Sequence, residues 1–166
     1  MKKKLIFING PAGVGKTSVC KGLHSILSNS ALLESEWCRY INPFIFNSEI
    51  ESMTEKNMTC ILRNYLECSL LNYVIFNWGL HYPRKQIFDN VMDNLNDITF
   101  ELLPITLMCN KESHVERMIQ DGRDQERIDR SIKSRDIYIG LTNLIIDTTK
   151  LSINETVNQI LHKITN

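Results

Sequence analysis

The sequence predicts a single α/β domain built on a parallel sheet. Short apolar runs alternate with segments whose apolar residues recur every three or four positions. The first run leads directly into Gly10-Pro11-Ala12-Gly13-Val14-Gly15-Lys16-Thr17, which has the form G-x-x-x-x-G-K-T. The 166 residues show no internal repeat, low-complexity tract or linker, so domain 1–166 is read as one unit with a sizeable core.

Each element has its own signal. Leu5-Ile6-Phe7-Ile8 has the length and apolarity of a buried parallel strand. Val19, Leu23, Ile26 and Leu27 then mark a helix. Ala31-Leu32-Leu33 reads as a second strand, and Pro43 bars a continuous helix through the aromatic stretch after it. Ser48 to Leu71 has helical spacing and opens on a capping-box pattern, Ser48 to Glu51. Tyr73 to Phe76 is a third strand, and Pro83 opens a helix carrying Ile87, Phe88, Val91, Met92 and Leu95. Ile105 to Cys109 is a fourth strand. Thr99 to Leu103 continues its pattern, with Pro104 opposing an unbroken ladder. Ser113 to Ile119 reads as helix, and helical spacing resumes through Ile128, Ile132 and Tyr138. Asn143 to Asp147 is a fifth strand, and Ser152 to Glu155 is a capping box for a last helix.

The loop at Gly10 to Thr17, with Ser18 behind it, has the chemistry of a phosphate site. Glycines let the backbone curl without Cβ atoms in the way, and the curl turns N–H groups toward an anion. The following helix directs its positive end at the same place. Lys16 is expected to reach the β- and γ-phosphates, and the Thr17 hydroxyl is a natural Mg²⁺ ligand.

Other candidates follow from position. Ligands of open parallel sheets bind outside the carboxyl ends of strands, where Glu34, Glu36 and Arg39 fall. Glu34 and Glu36 lie on one side if the strand extends that far, and one of them can orient metal-bound water or take a proton from a hydroxyl. The bland alternative is two surface glutamates. Arg117, Arg123, Arg127, Arg130 and Arg135 crowd one stretch, with Gly122 inside it. They fit either a mobile lid that brings positive charge to a transferring phosphoryl group or a solvated helix laced with pairs such as Glu126–Arg130. Asn110-Lys111-Glu112-Ser113 lacks the Asp of a guanine-reading N-K-x-D, and no D-x-x-G is present, which disfavours a regulatory GTPase. The four histidines show neither metal spacing nor a nucleophile partner. His24 and His162 read as surface residues, while His81 fits an acceptor pocket or plain packing.

Composition bounds the rest. Formal net charge is zero, which argues against bulk nucleic-acid or anionic-membrane binding. The five scattered cysteines lack zinc or redox spacing and read as reduced thiols. The apolar run after Lys2 to Lys4 stops at Asn9, too short for a signal peptide, and a cytoplasmic protein is expected.

The pattern resembles the small P-loop kinases: shikimate, gluconate and adenylate kinases, chloramphenicol phosphotransferase and tunicamycin-resistance-type ATP-binding proteins. It looks most like bacterial AAA-family ATPase or nucleotide-kinase-like proteins of this size. The stretches carrying that likeness are Glu34-Ser35-Glu36-Trp37-Cys38, Asn42-Pro43-Phe44, Val74-Ile75-Phe76 and Ile146-Asp147-Thr148. The resemblance implies a three-layer α/β/α sandwich, a five-stranded sheet of order 2-3-1-4-5, and ATP with Mg²⁺ at Lys16 and Thr17. It implies an acceptor region near residues 34–72 and an arginine-bearing lid near 117–130. Glu34 would help place Mg²⁺ and Glu36 would hold or deprotonate the acceptor hydroxyl, although both are Glu where the family carries Asp. Arg117 would pack on adenine, Thr148 and Thr149 would border it, and Arg123 and Arg127 would contact phosphates. Trp37 and Arg39 would shape the acceptor pocket. The reading is a small-molecule kinase, monomeric or homodimeric. The alternatives are a nucleotide or nucleoside kinase, or an ATP-binding resistance or regulatory module without an acceptor.

Overall fold

Leu5, Ile6, Phe7 and Ile8 are all buried, as a strand with neighbours on both sides requires. They lie in β1 (Lys3–Asn9), the middle of a five-stranded sheet ordered β2-β3-β1-β4-β5. The other strands are β2 (Ser30–Glu34), β3 (Tyr73–Asn77), β4 (Phe100–Met108) and β5 (Leu144–Asp147), and every pairing is parallel. The computed structural model describes residues 2–141 and 144–165, so Asn143, expected to begin the fifth strand, lies outside the described residues.

Alternation along β1 sorts the core into two layers. Leu5 and Phe7 face α2 (Ser48–Glu67) and α3 (Arg84–Asp93), packing with Met58, Leu62, Ile87 and Val91. Phe7 stacks on Phe76 and Phe88 at centroid distances of 4.8 and 4.4 Å. Ile6 and Ile8 face α1 (Lys16–Ile26) and α7 (Ile153–Thr165), packing with Val19, Leu23, Val157 and Ile160. The expected three-layer sandwich and strand order are both present.

Several boundaries differ from expectation. The N-cap of α2 is Asn47, whose side chain accepts from the Ile50 amide at 2.9 Å, rather than Ser48. The helix stops at Glu67 rather than Leu71. Cys68 is extended and Leu70 is exposed, because the chain must turn back to enter β3. Strand β4 runs straight through Pro104. Its described pairing with β5 starts only at Ile105, so at Pro104 the described ladder is with β1 alone, on the side opposite β5. Helix α4 (Lys111–Gln120) starts two residues before the expected Ser113, because Asn110 caps it. The stretch from Ile128 to Tyr138 is two helices, α5 (Gln125–Lys133) and α6 (Arg135–Ile139), rather than one.

Because all strands are parallel, the segments leaving β1 to β5 emerge at one edge of the sheet. That edge gathers the phosphate loop, the Ser35–Arg39 turn, residues 78–83 and Thr148.

Candidate functional site

The loop between β1 and α1 has the curled backbone its glycines allow. Gly10 sits at φ 139°, and a Cβ there would fall 2.4 Å from the Leu107 carbonyl oxygen, so the loop lies directly against β4. Gly13 sits at φ 81°. Lys16 folds back over the loop, its Nζ donating to the carbonyls of Gly10 (2.9 Å) and Pro11 (2.8 Å). Burial, and next the charge of Arg84, push the Lys16 ammonium down to about 8. Thr17 and Ser18 open α1 and are exposed.

A cavity of about 220 Å³ lies on one side of this loop, lined by Val14, Gly15, Arg117, Thr148, Leu151 and Ile153. Arg117 is held in its wall, donating to the Thr148 hydroxyl (3.0 Å) and carbonyl (2.7 Å). The structure thus brings Arg117 and Thr148 together beside the phosphate loop. Asn110 cannot read a base from here while its side chain caps α4, accepting from the Ser113 amide at 2.8 Å.

On the other side lie the carboxylates. Strand β2 ends at Glu34, and a 3₁₀ turn (Ser35–Arg39) follows. The expectation that alternation carries Glu34 and Glu36 to one strand face is therefore corrected: the turn, rather than the strand, places Glu36. Glu34 pairs with Lys21 at 3.1 Å and lies in register with Asn77. Glu36 is exposed, accepts from Arg39 Nη2 at 2.8 Å, and is close enough for its charge to raise the Lys16 pKa against the effect of burial. Oxygen donors from Thr17, Glu34 and Glu36 suit a hard cation such as Mg²⁺. Asn77 Nδ2, buried without a hydrogen-bond partner, is a donor and offers such an ion nothing.

Arg39 is buried, with its guanidinium carbon 5.3 Å from the Trp78 ring centroid and 5.6 Å from that of Phe44. Arg84 covers Trp78 at 5.0 Å. The result is a stack, Phe44–Arg39–Trp78–Arg84, in which one indole serves two guanidinium groups. Burial, then the charge of Arg39, pushes Arg84 down to about 10. His81 is pushed down to about 4 by burial, then by Arg84, Lys16 and Arg39, and is neutral near pH 7. So many cations around one carboxylate make a place where an anion is welcome. Trp37, by contrast, is 67% exposed, its ring tilted at 48° against that of Tyr40 at a centroid distance of 5.3 Å.

The five clustered arginines divide. Arg117 holds Thr148, and Arg135 turns inward to donate to His114 and the Cys109 carbonyl. Arg127 and Arg130 pair with Asp124 and Glu126 at 3.4 and 3.8 Å. Arg123, after Gly122 at φ 69°, is exposed; its amide donates to the Met118 carbonyl at 3.0 Å, while its guanidinium has no hydrogen-bond or ion-pair partner among the described residues.

Sequence reasoning missed Arg84 and Ser131, and it foresaw neither the inward turn of Arg135 nor the placement of His114. Arg84 opens a helix one loop beyond the carboxyl end of β3, so the strand-end rule already pointed near it. His114 shows no spacing signal, because its partners come from three separate segments.

A family model described as an AAA domain matches residues 6–138. No curated protein matches the sequence. Among solved structures, the tunicamycin resistance protein of Deinococcus radiodurans superposes with a TM-score of 0.71 at 24% identity, covering 98% of this chain and 96% of that one. Shikimate kinase from Acinetobacter baumannii gives 0.67 at 19% identity, over 98% and 93%. A gluconokinase from Sinorhizobium meliloti gives 0.66 at 12%, over 98% and 91%. With its phosphate loop at the carboxyl edge of a 2-3-1-4-5 sheet, the chain belongs to the AAA domain family and has the fold of the small P-loop kinases.

Proposed function

We propose that this protein transfers a phosphoryl group from ATP to a hydroxyl of a small acceptor that carries an anionic group. One observation supports this most directly. The curled phosphate loop with Lys16 and the stacked pair Arg39 and Arg84 open from the same edge of the sheet, and Glu36 lies between them electrostatically. The loop amides and Lys16 bind the ATP phosphates, which replace the Gly10 and Pro11 carbonyls as partners of the ammonium. The Arg117–Thr148 wall borders the base. Thr17 and Glu34 would hold Mg²⁺, which when bound neutralises phosphate charge. Arg39 and Arg84 take the acceptor's anion. Glu36 orients the acceptor hydroxyl or receives its proton. Arg123, its guanidinium unpaired on the turn, is free to meet the transferring group, with Arg127 on the helix that follows. Phosphoryl transfer asks for this kind of positioning and charge more than for covalent chemistry.

A phosphate is one anion that two guanidinium groups fit, so a nucleotide acceptor is the second reading. A thymidylate kinase from Candida albicans also shares the fold, with a TM-score of 0.63 at 16% identity.

The test is ATP consumption with Mg²⁺ across pools of carboxylated metabolites, nucleoside monophosphates, neutral sugars and antibiotics. Stimulation by an anionic pool, abolished in Lys16→Ala and lowered at least roughly hundredfold in Glu36→Gln, is the expected result. A fully active Glu36→Gln would remove the base role. Tight ATP binding with no stimulating pool would favour an ATP-binding resistance or regulatory module.

A further inference from the structure

A phosphate loop can turn its N–H groups toward an anion only if its carbonyls point elsewhere, and those carbonyls need donors. Lys16 serves Gly10 and Pro11. The Ala12 carbonyl has two donors of its own. Ser131 Oγ, on α5, donates to it at 2.8 Å, and His114 Nε2, on α4, contacts it at 2.6 Å. Both side chains are buried.

The proton on His114 can be placed. Its Nδ1 lies 3.1 Å from Arg135 Nη1, and a guanidinium only donates. Nδ1 is therefore the acceptor and Nε2 carries the proton that goes to Ala12. Burial lowers the His114 pKa, the Ala12 bond opposes that, and the charges of Arg135, Lys16 and Arg117 lower it further, consistent with a neutral ring.

The Ala12–Gly13 peptide is trans, so the Ala12 C=O and the Gly13 N–H point in opposite directions. A carbonyl held toward α4 and α5 leaves the Gly13 N–H aimed away from them. Gly13 is also pressed on α4: a Cβ there would stand 2.5 Å from Met118 Cγ.

We propose that His114 is a positioning residue that, with Ser131, aims the Gly13 N–H at the bound phosphates and ties the loop to α5, the helix behind the Arg123 turn. The assignment rests on the reading of this loop as the ATP phosphate site. His114→Phe keeps a ring without the donor, and His114→Gln keeps a donor. Calorimetry with ATP·Mg²⁺ and with adenosine separates phosphate from base recognition. We expect His114→Phe to weaken ATP roughly tenfold, His114→Gln to stay within about threefold, and adenosine affinity to be unchanged in both. Ser131→Ala is expected to weaken ATP in the same phosphate-dependent way. It carries the test if His114→Phe fails to fold. The imidazole nitrogen resonances of the unaltered protein should report an Nε2–H tautomer that shifts on adding pyrophosphate. ATP affinity unchanged in His114→Phe or Ser131→Ala, equal losses for ATP and adenosine, or an imidazole indifferent to pyrophosphate would overturn the proposal. Failure of the unaltered protein to bind ATP would overturn the nucleotide reading itself, and this assignment with it.

Discussion

Lys16 lies across its own loop, with its ammonium on two backbone carbonyls and two or more positive neighbours close by. Its depressed pKa, about 8, has a consequence for binding. Below that pH the free protein already carries the charge that phosphates want. Above it the ammonium is lost, and ATP must restore the proton to gain the ion pair. Binding therefore takes up a proton above pH 8, and affinity falls as pH rises. Calorimetry between pH 7 and 10 should show ATP affinity declining by up to about tenfold per unit beyond pH 8. Lys16→Met, with no ammonium to titrate, should bind weakly and nearly independently of pH in that range. A flat profile in the unaltered protein would mean the ammonium stays charged throughout.

Helix α4 shows how one polar residue can be misread from sequence. Asn110-Lys111-Glu112-Ser113 looks like a worn nucleotide-base signature, yet its Asn110 serves the helix end. An N-cap satisfies an amide that the helix leaves without a partner. Asn110→Ala should therefore destabilise the protein by about 1 kcal/mol in chemical denaturation. The ratio of ATP to GTP affinity should stay the same, and a changed ratio would place Asn110 in base recognition. The last helix is the opposite case. Ser152 and Glu155 make the reciprocal bonds of a capping box, at 2.8 Å from the Ser152 amide to Glu155 and 3.2 Å from the Glu155 amide to Ser152. Local sequence was enough there, because every atom involved lies within four residues.

The molecule as a whole seats its phosphate loop between one core layer and helix α4. Val14, Val19 and Cys20 belong to one core cluster, and the loop's far side meets α4 through Met118. A ligand that binds only the folded loop therefore stabilises the whole domain. At a hundredfold excess over Kd, ATP should add about 2.7 kcal/mol and raise the melting temperature by roughly 5–10 °C. Lys16→Ala should lose that shift while retaining its unliganded melting temperature within a few degrees. A shift of equal size in both proteins would place the stabilising nucleotide elsewhere. Among the described residues no helix is long and apolar enough to cross a membrane.

Strand periodicity, the glycine pattern and the order of elements were readable because each depends on neighbours close in the chain. Buried runs such as Leu5 to Ile8 can be satisfied only between other strands, and Gly10 to Thr17 encodes its curl residue by residue. The carboxyl edge of the sheet was therefore legible as the candidate site before any packing was known. The partners across that edge were not. Glu36 sits where a 3₁₀ turn puts it, Arg84 meets Arg39 only through Trp78, and His114 meets Ala12 across 102 positions of chain. Those contacts arise when parallel strands bring separate loops to one edge, and no local pattern records which side chains will then share a carbonyl or an indole face.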